Sequence, residues 1–426
     1  MKKILSILAL VAITASFSYG QWNYVKDFPD TGMLKSGSGC HGITVAPDGN
    51  VWIQQYAVTD SLTGPGVPTV KTRALYVYKP DGTPVSFSPL KILKGNGIED
   101  TLWNSAVGLN VDEKGNILVA TYHNLYRVDY KTGAAMTKMV NIQGLGLCAP
   151  ACDAEGNIYT TTVLPGNPAK EYASDFSFIS NALDTVVEYG RTMAVTPDGL
   201  TLYIPRYSLN KTLKLTRGDK FSSFAVTDTV FKGMACESMA WHPKTGNLWV
   251  AAGSWTNPPA NPQYTRGTWY EFDPKTYAQK DSIKWKFNKA DNPNERPRAM
   301  AFSPDGNTVW IGAFGESGWA SVQKHAKSGV DVKKESAVVT SFELSQNFPN
   351  PFNPTTEIKF SVVKEGMVSL KVYNMVGQEV ATLVSKQLTA GSYSTQFDAS
   401  KLASGTYIYE LKSNGASVAK KMMLMK

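Results

Sequence analysis

The sequence predicts an all-β protein: a six-bladed β-propeller followed by a small Ig-like β-sandwich. Three observations carry this. A hairpin unit repeats through the body of the chain, strict period-two alternation takes over near residue 342, and charged residues are sparse (18%) while aromatics are plentiful (11%). The last balance favours pleated, half-buried strands over solvated helices. At 426 residues the chain exceeds what one hydrophobic core supports, so more than one domain is expected.

Residues 1–20 come first. Lys2 and Lys3 precede an apolar run from Ile4 to about Ala15, and the small residues Ser18 and Gly20 flank Tyr19. This is the pattern of a secretory leader with cleavage expected before Gln21. The apolar run is too short to span a bilayer and no later segment is longer, so no transmembrane segment is expected. The formal net charge of +8 does not imply nucleic-acid binding, because the basic residues are scattered and partly lie in the two ends.

Residues 21–326 hold the repeat. Six copies of a strand, a turn and a second strand run from Gly42 to Ile53, Gly108 to Val119, Ala149 to Tyr159, Met193 to Ile204, Ser238 to Val250 and Ala299 to Ile311. Their turns centre on Gly49, Gly115, Gly156, Gly199, Gly246 and Gly306, and Gly beside Asn or Asp accepts the positive φ of a tight hairpin. Third and fourth strands follow several copies, for example Leu75 to Tyr78 and Trp269 to Phe272, which makes each unit a propeller blade. The long first unit has room for a seventh. The sixth unit lacks a strand, and Trp22 to Val25 are suited to supply it and close the ring.

These units resemble the repeats of streptogramin-lyase-like and NHL propellers, on His41 to Trp52, and of sensor regulator propellers, on Gly115 to Asp129. The resemblance implies architecture more than activity.

Residues 327–341 read as a Lys-, Ser- and Val-rich linker. Residues 342–426 alternate at period two over Ile358 to Val362, Val368 to Val372, Tyr393 to Phe397 and Thr406 to Leu411, the pattern of an antiparallel sandwich. Three signatures punctuate it: Phe348-Pro349-Asn350-Pro351-Phe352-Asn353-Pro354, Val372-Tyr373-Asn374-Met375-Val376-Gly377-Gln378, and Lys420 to Lys426. In that order they resemble a type A C-terminal sorting domain of the type IX secretion system. The resemblance implies passage by the leader into the periplasm, then export through the outer-membrane type IX machinery, its partner, to the cell surface or the medium.

In a propeller one position per blade converges on the mouth of the central channel. Aligning the units on their turns places His41, Val107, Cys148, Arg191, Glu237 and Arg298 there. Loops beyond the second strands add Tyr56, Tyr122, Arg206, Tyr207 and Trp255. From these, His41, Arg191, Glu237, Arg298, Arg206, Tyr207 and Trp255 are the candidate ligand-binding residues. Two arginines repel a cation and suit a carboxylate or sulfate. The function expected is an exported propeller that binds a carbohydrate, peptide or protein partner at this mouth.

Two alternatives stand beside it. One is a metal-assisted lyase or hydrolase using His41 and Glu237, implied by the lyase resemblance, although the clustered His/Glu/His of those lyases is not matched. The other is a scaffold without a small ligand. No phosphate loop, zinc spacing or nucleophile elbow occurs, so no catalytic residue, metal ligand or cofactor is assigned. The four cysteines leave open a bridge involving Cys40 and Cys236 or four buried thiols; Cys148 and Cys152, about 13 Å apart along a strand, are beyond reach of one another. Five Asp-Ser/Thr-aliphatic triplets, at Asp60, Asp100, Asp184, Asp228 and Asp281, resemble an O-glycosylation acceptor and fit strand-entry chemistry equally.

Overall fold

The computed structural model describes residues 22–29, 39–56, 60–64, 67–103, 106–140, 146–253, 264–286, 296–314, 322–327, 333–336, 339–400 and 402–426. The leader and Trp255 lie outside the described residues. Two compact units divide the chain, one spanning Trp22–Val330 and the other beginning at Asp331. Among the described residues no helix is long and apolar enough to cross a membrane.

The first unit is a β-propeller of antiparallel sheets. Among the described residues five sheets have four strands and one, made of Cys40–Val45, Val51–Gln55 and Leu75–Tyr78, has three. The extra residues of the long first unit form two small hairpins, Asp60–Gly64 with Val67–Thr72 and Ile92–Gly95 with Ile98–Thr101. In the last sheet, Trp22–Asp27 pairs antiparallel with Val322–Lys327, from Trp22 opposite Lys327 to Asp27 opposite Gln323, with a one-residue shift between Tyr24 and Lys26. The missing sixth-unit strand is therefore supplied by Trp22–Asp27.

The hairpin turns explain why the repeat was visible. Each turn glycine has φ between +68° and +90°. In four of the turns an Asp Oδ1 accepts the backbone N–H of an Asn, as in Asp48 to Asn50 (3.0 Å), Asp112 to Asn116 (2.8 Å), Asp153 to Asn157 (2.9 Å) and Asp305 to Asn307 (3.1 Å). The fifth turn substitutes His242, whose Nδ1 accepts from Lys244 and Thr245 while Nε2 donates to Gly306 O at 2.9 Å.

Apolar side chains fill the spaces between neighbouring sheets. Trp52, Leu75 and Val77 of the first sheet pack with Leu109, Ile117, Val119 and Tyr126 of the second. Phe28 and Trp310 of the last sheet pack with Ile43, Val51 and Ile53 of the first, so the ring closes through side chains too. Trp52, Trp249, Trp269 and Trp310 are at most 1% exposed. Burial of such a side chain contributes about 1.5–3 kcal/mol each, and stacking is what provides it, because one sheet alone leaves both faces wet.

The second unit is a sandwich of two four-stranded sheets over a core that includes Ile358, Phe360, Leu370, Phe397, Tyr409 and Leu411. The segment expected to be linker contributes a strand: Lys333–Ser336 pairs with Gly391–Asp398. Its own residues have no alternation, and the open edge of a sheet supplies the pairing instead. The proline-rich opening is tied to the last strand. Phe352 N–H donates to Met423 O and Met425 N–H to Phe352 O, each at 3.0 Å, and Asn350 Oδ1 accepts from Met423 N at 2.9 Å. Two of the three sorting signatures thus hold one another.

Candidate functional site

The inner strands of the propeller share an irregularity at one end. Along Cys40–Val45 the pairing jumps from Cys40 to Gly42, leaving His41 as the extra residue of a bulge. The same jump skips Val107, falls between Cys236 and Met239 at Glu237, and skips Arg298. A bulge bends its strand and re-aims a side chain. His41, Glu237 and Arg298 are the side chains so redirected, and with Arg191 they line one cavity of about 260 Å3.

Glu237 is the centre of that cavity. Its side chain is fully buried, and Oε2 lies 2.8 Å from Arg298 Nη1 and 3.6 Å from Arg191 Nε. Its Oε1 is also buried and, among the described residues, accepts no hydrogen bond. Arg296, two residues before Arg298, adds a third guanidinium to the lining. Burial pushes the Arg298 guanidinium down from its ordinary value; Glu237 opposes the shift, and the positive charges of Arg191 and Arg296 add to it. Among the described residues, three guanidiniums and one carboxylate line the cavity.

Aromatic rings orient the guanidiniums. Arg296 and Arg298 each lie 5.1 Å from the Phe314 ring centroid, and Arg191 lies 5.1 Å from that of Tyr207. Phe314 in turn meets His41 at 5.2 Å and Tyr56 at 5.4 Å, while His41 and Tyr56 lie 4.7 Å apart. The result is an apolar wall beside a fork of planar donors, which matches the two oxygens of a carboxylate.

The sequence-derived candidates divide accordingly. His41, Arg191, Glu237 and Arg298 come together. Tyr207 is buried beneath Arg191 and supports it, and Arg206 faces Glu188 at 3.7 Å, away from the cavity lining. Trp255 lies outside the described residues. Alignment of the repeats missed Arg296 and Phe314. Phe314 ends a second strand as Tyr56 and Tyr122 follow theirs, so the repeat points to it; Arg296, paired with Phe314 and two residues before Arg298, has no counterpart among the aligned positions.

The four cysteines are unpaired. Cys40 and Cys236 occupy equivalent places in two sheets, and each donates across its own bulge, to Gly42 O and Ser238 O, both at 3.6 Å. A bridge between them is thereby overturned: each thiol is buried inside its own sheet. Burial also pushes Cys148 up to about 12. The Asp-Ser/Thr pairs behave as local strand devices: the N–H groups of Ser61, Thr229 and Ser282 donate to the preceding Asp Oδ1 at 2.6–2.8 Å.

The set does not fit a metal of the lyase type. Glu237 faces guanidiniums, which repel a cation. Among the described residues no group of three or more His, Cys, Asp or Glu side chains converges.

Comparison with known proteins bears mainly on the tail. Residues 346–425 match the family described as a secretion system C-terminal sorting domain. Curated proteins give no match. Among solved structures, a calcium-binding protein, regucalcin, from Agrobacterium tumefaciens is 13% identical with a TM-score of 0.48, over 71% of this chain and 93% of that one. A luciferin-regenerating enzyme is 10% identical with a TM-score of 0.48, over 71% and 95% of the two chains.

Proposed function

From the premise that residues 346–425 are a type IX C-terminal sorting domain, which directs the chain across the outer membrane to the surface or the medium, we propose that the propeller is an exported binding protein. It captures its ligand by a terminal carboxylate or similar anionic group at the channel mouth. The observation that carries this reading is the cluster of Arg191, Arg296 and Arg298 around the single buried carboxylate of Glu237. The cavity, at about 260 Å3, is slightly below the roughly 300–1,000 Å3 of pockets that enclose a whole small molecule. It takes one end group, such as an acidic sugar or a peptide C-terminus, and the remainder of the ligand lies outside.

The lyase or hydrolase reading has less support, because its base, Glu237, is engaged by two arginines. The scaffold reading predicts no ligand at all. Calorimetric titration of the chain from Gln21 with a uronate and its neutral parent sugar, and with a peptide bearing a free or amidated C-terminus, separates them. Binding of a charged form only, abolished by Arg298→Ala, supports the proposal. Equal affinity for charged and neutral forms, or no binding of any probe, overturns it.

A further inference from the structure

A second recess lies on the flank of the propeller, remote in sequence from the arginine cluster. The hairpin of Ile92–Gly95 and Ile98–Thr101 packs against the outer strand Ala135–Val140 of the second sheet. Between this hairpin and the second sheet is a cavity of about 420 Å3, within the range of small-ligand pockets.

One side of it is aromatic. Trp103 is 56% exposed, unusual for the largest apolar side chain, and the His123 ring extends its surface at 5.6 Å and 35°. The indole is exposed yet positioned. Arg73 donates to the Trp103 carbonyl, and the Trp103 N–H donates to Thr101 O at 3.0 Å.

The other side is polar and pre-ordered. Asp100 Oδ2 accepts from Lys138 Nζ at 2.8 Å and from Tyr126 Oη at 2.9 Å, and Asn124 Nδ2 donates to Tyr126 Oη at 2.7 Å. This network fixes Asp100, Asn124 and Lys138 while leaving the second carboxylate oxygen, the amide oxygen and further ammonium protons as hydrogen-bonding capacity. Charge is balanced: Lys138 offsets Asp100, and Lys94 offsets Glu99 at 2.6 Å.

An electroneutral recess with an exposed indole on one wall and planar polar groups on the other matches one ligand chemistry. A pyranose has a face of C–H bonds that lies against an aromatic ring and an edge of hydroxyls that need both donors and acceptors. We propose that this recess is a binding site for a neutral saccharide residue. It does not depend on the arginine cluster, and an anionic ligand gains nothing here.

The test uses the chain from Gln21 with neutral tetrasaccharides of gluco, galacto and manno configuration, followed by tryptophan fluorescence and calorimetry. At least one is expected to bind saturably. Trp103→Ala is expected to weaken it by about tenfold or more and Asp100→Asn by about fivefold. Trp103→Phe retains most of the binding, which separates loss of the platform from loss of the fold. The proposal is overturned if no tetrasaccharide binds the parent at about 10 mM, if Trp103→Ala binds as the parent does, or if a proline-rich peptide binds the recess and the sugars do not.

Discussion

Arg298 Nη1 and Glu237 Oε2, 2.8 Å apart, join the fifth and sixth sheets of the propeller across the channel mouth. Both residues sit on bulges, and Glu237 is fully buried. Arg298→Met leaves the buried Glu237 carboxylate with only the longer 3.6 Å contact to Arg191 Nε, and breaking a buried pair costs about 3–5 kcal/mol. Arg298→Met is therefore expected to destabilise strongly, and Glu237→Leu with Arg298→Met to recover most of the loss. Urea denaturation of the two variants checks this; a double variant as unstable as the single one refutes it.

Two buried groups in the closing region titrate in opposite directions. Burial raises Asp281 to about 7, so the folded state binds its proton more tightly and stability falls as pH rises from about 4 towards 7. Burial lowers His325 to about 4, so the unfolded state binds its proton more tightly and stability falls as pH drops from about 6.5 towards 4. Asp281→Asn should expose the histidine slope and His325→Gln the aspartate slope, each up to about 1.4 kcal/mol per pH unit. Melting temperatures at pH 4 to 7 read the two opposite signs.

Turn glycines of equal conformation are expected to differ in what they tolerate. Gly49 and Gly115 have φ of +85° and +87°, but a Cβ at Gly49 meets nothing closer than 3.6 Å, whereas one at Gly115 falls 2.3 Å from Pro47 Cγ. Gly49→Ala should cost about 1–2 kcal/mol from the left-handed backbone alone. Gly115→Ala should cost measurably more, and equal unfolding midpoints would contradict this.

Removal of the tail should respect the strand that lies before it. Deletion from Asp331 is expected to leave a folded propeller in the periplasm, since the two units separate there. Deletion from Phe342 strands Lys333–Ser336 without its partner Gly391–Asp398. Cell fractionation with limited proteolysis distinguishes these outcomes, and export of either truncation to the medium refutes the sorting role.

Much of the architecture was legible because the turns are local. An Asp, a Gly and an Asn within five residues make a hairpin wherever they occur between apolar strands, so the turn glycines announced the sheets. One position per unit lies eight residues before the turn glycine, or nine at Glu237, and of these six His41, Arg191, Glu237 and Arg298 line one cavity. The bulges were not legible. A bulge is set by pairing between strands, and the extra residue has no composition of its own: His41, Glu237 and Arg298 have nothing in common chemically. The strand at Lys333–Ser336 was missed for the same reason, as its partner lies nearly sixty residues on and nothing in Lys-Lys-Glu-Ser requires it.

The pairing of Trp22 with Lys327 has a temporal meaning. It joins the first and last strands of the propeller, so no partial chain can complete the ring. Until the last strand emerges, Trp22–Asp27 lacks its partner in the final sheet, whose Phe28 and Trp310 rings meet at 5.7 Å. Contacts of such sequence separation are slow to form. The ring is therefore complete only once the strand Val322–Lys327 has been made.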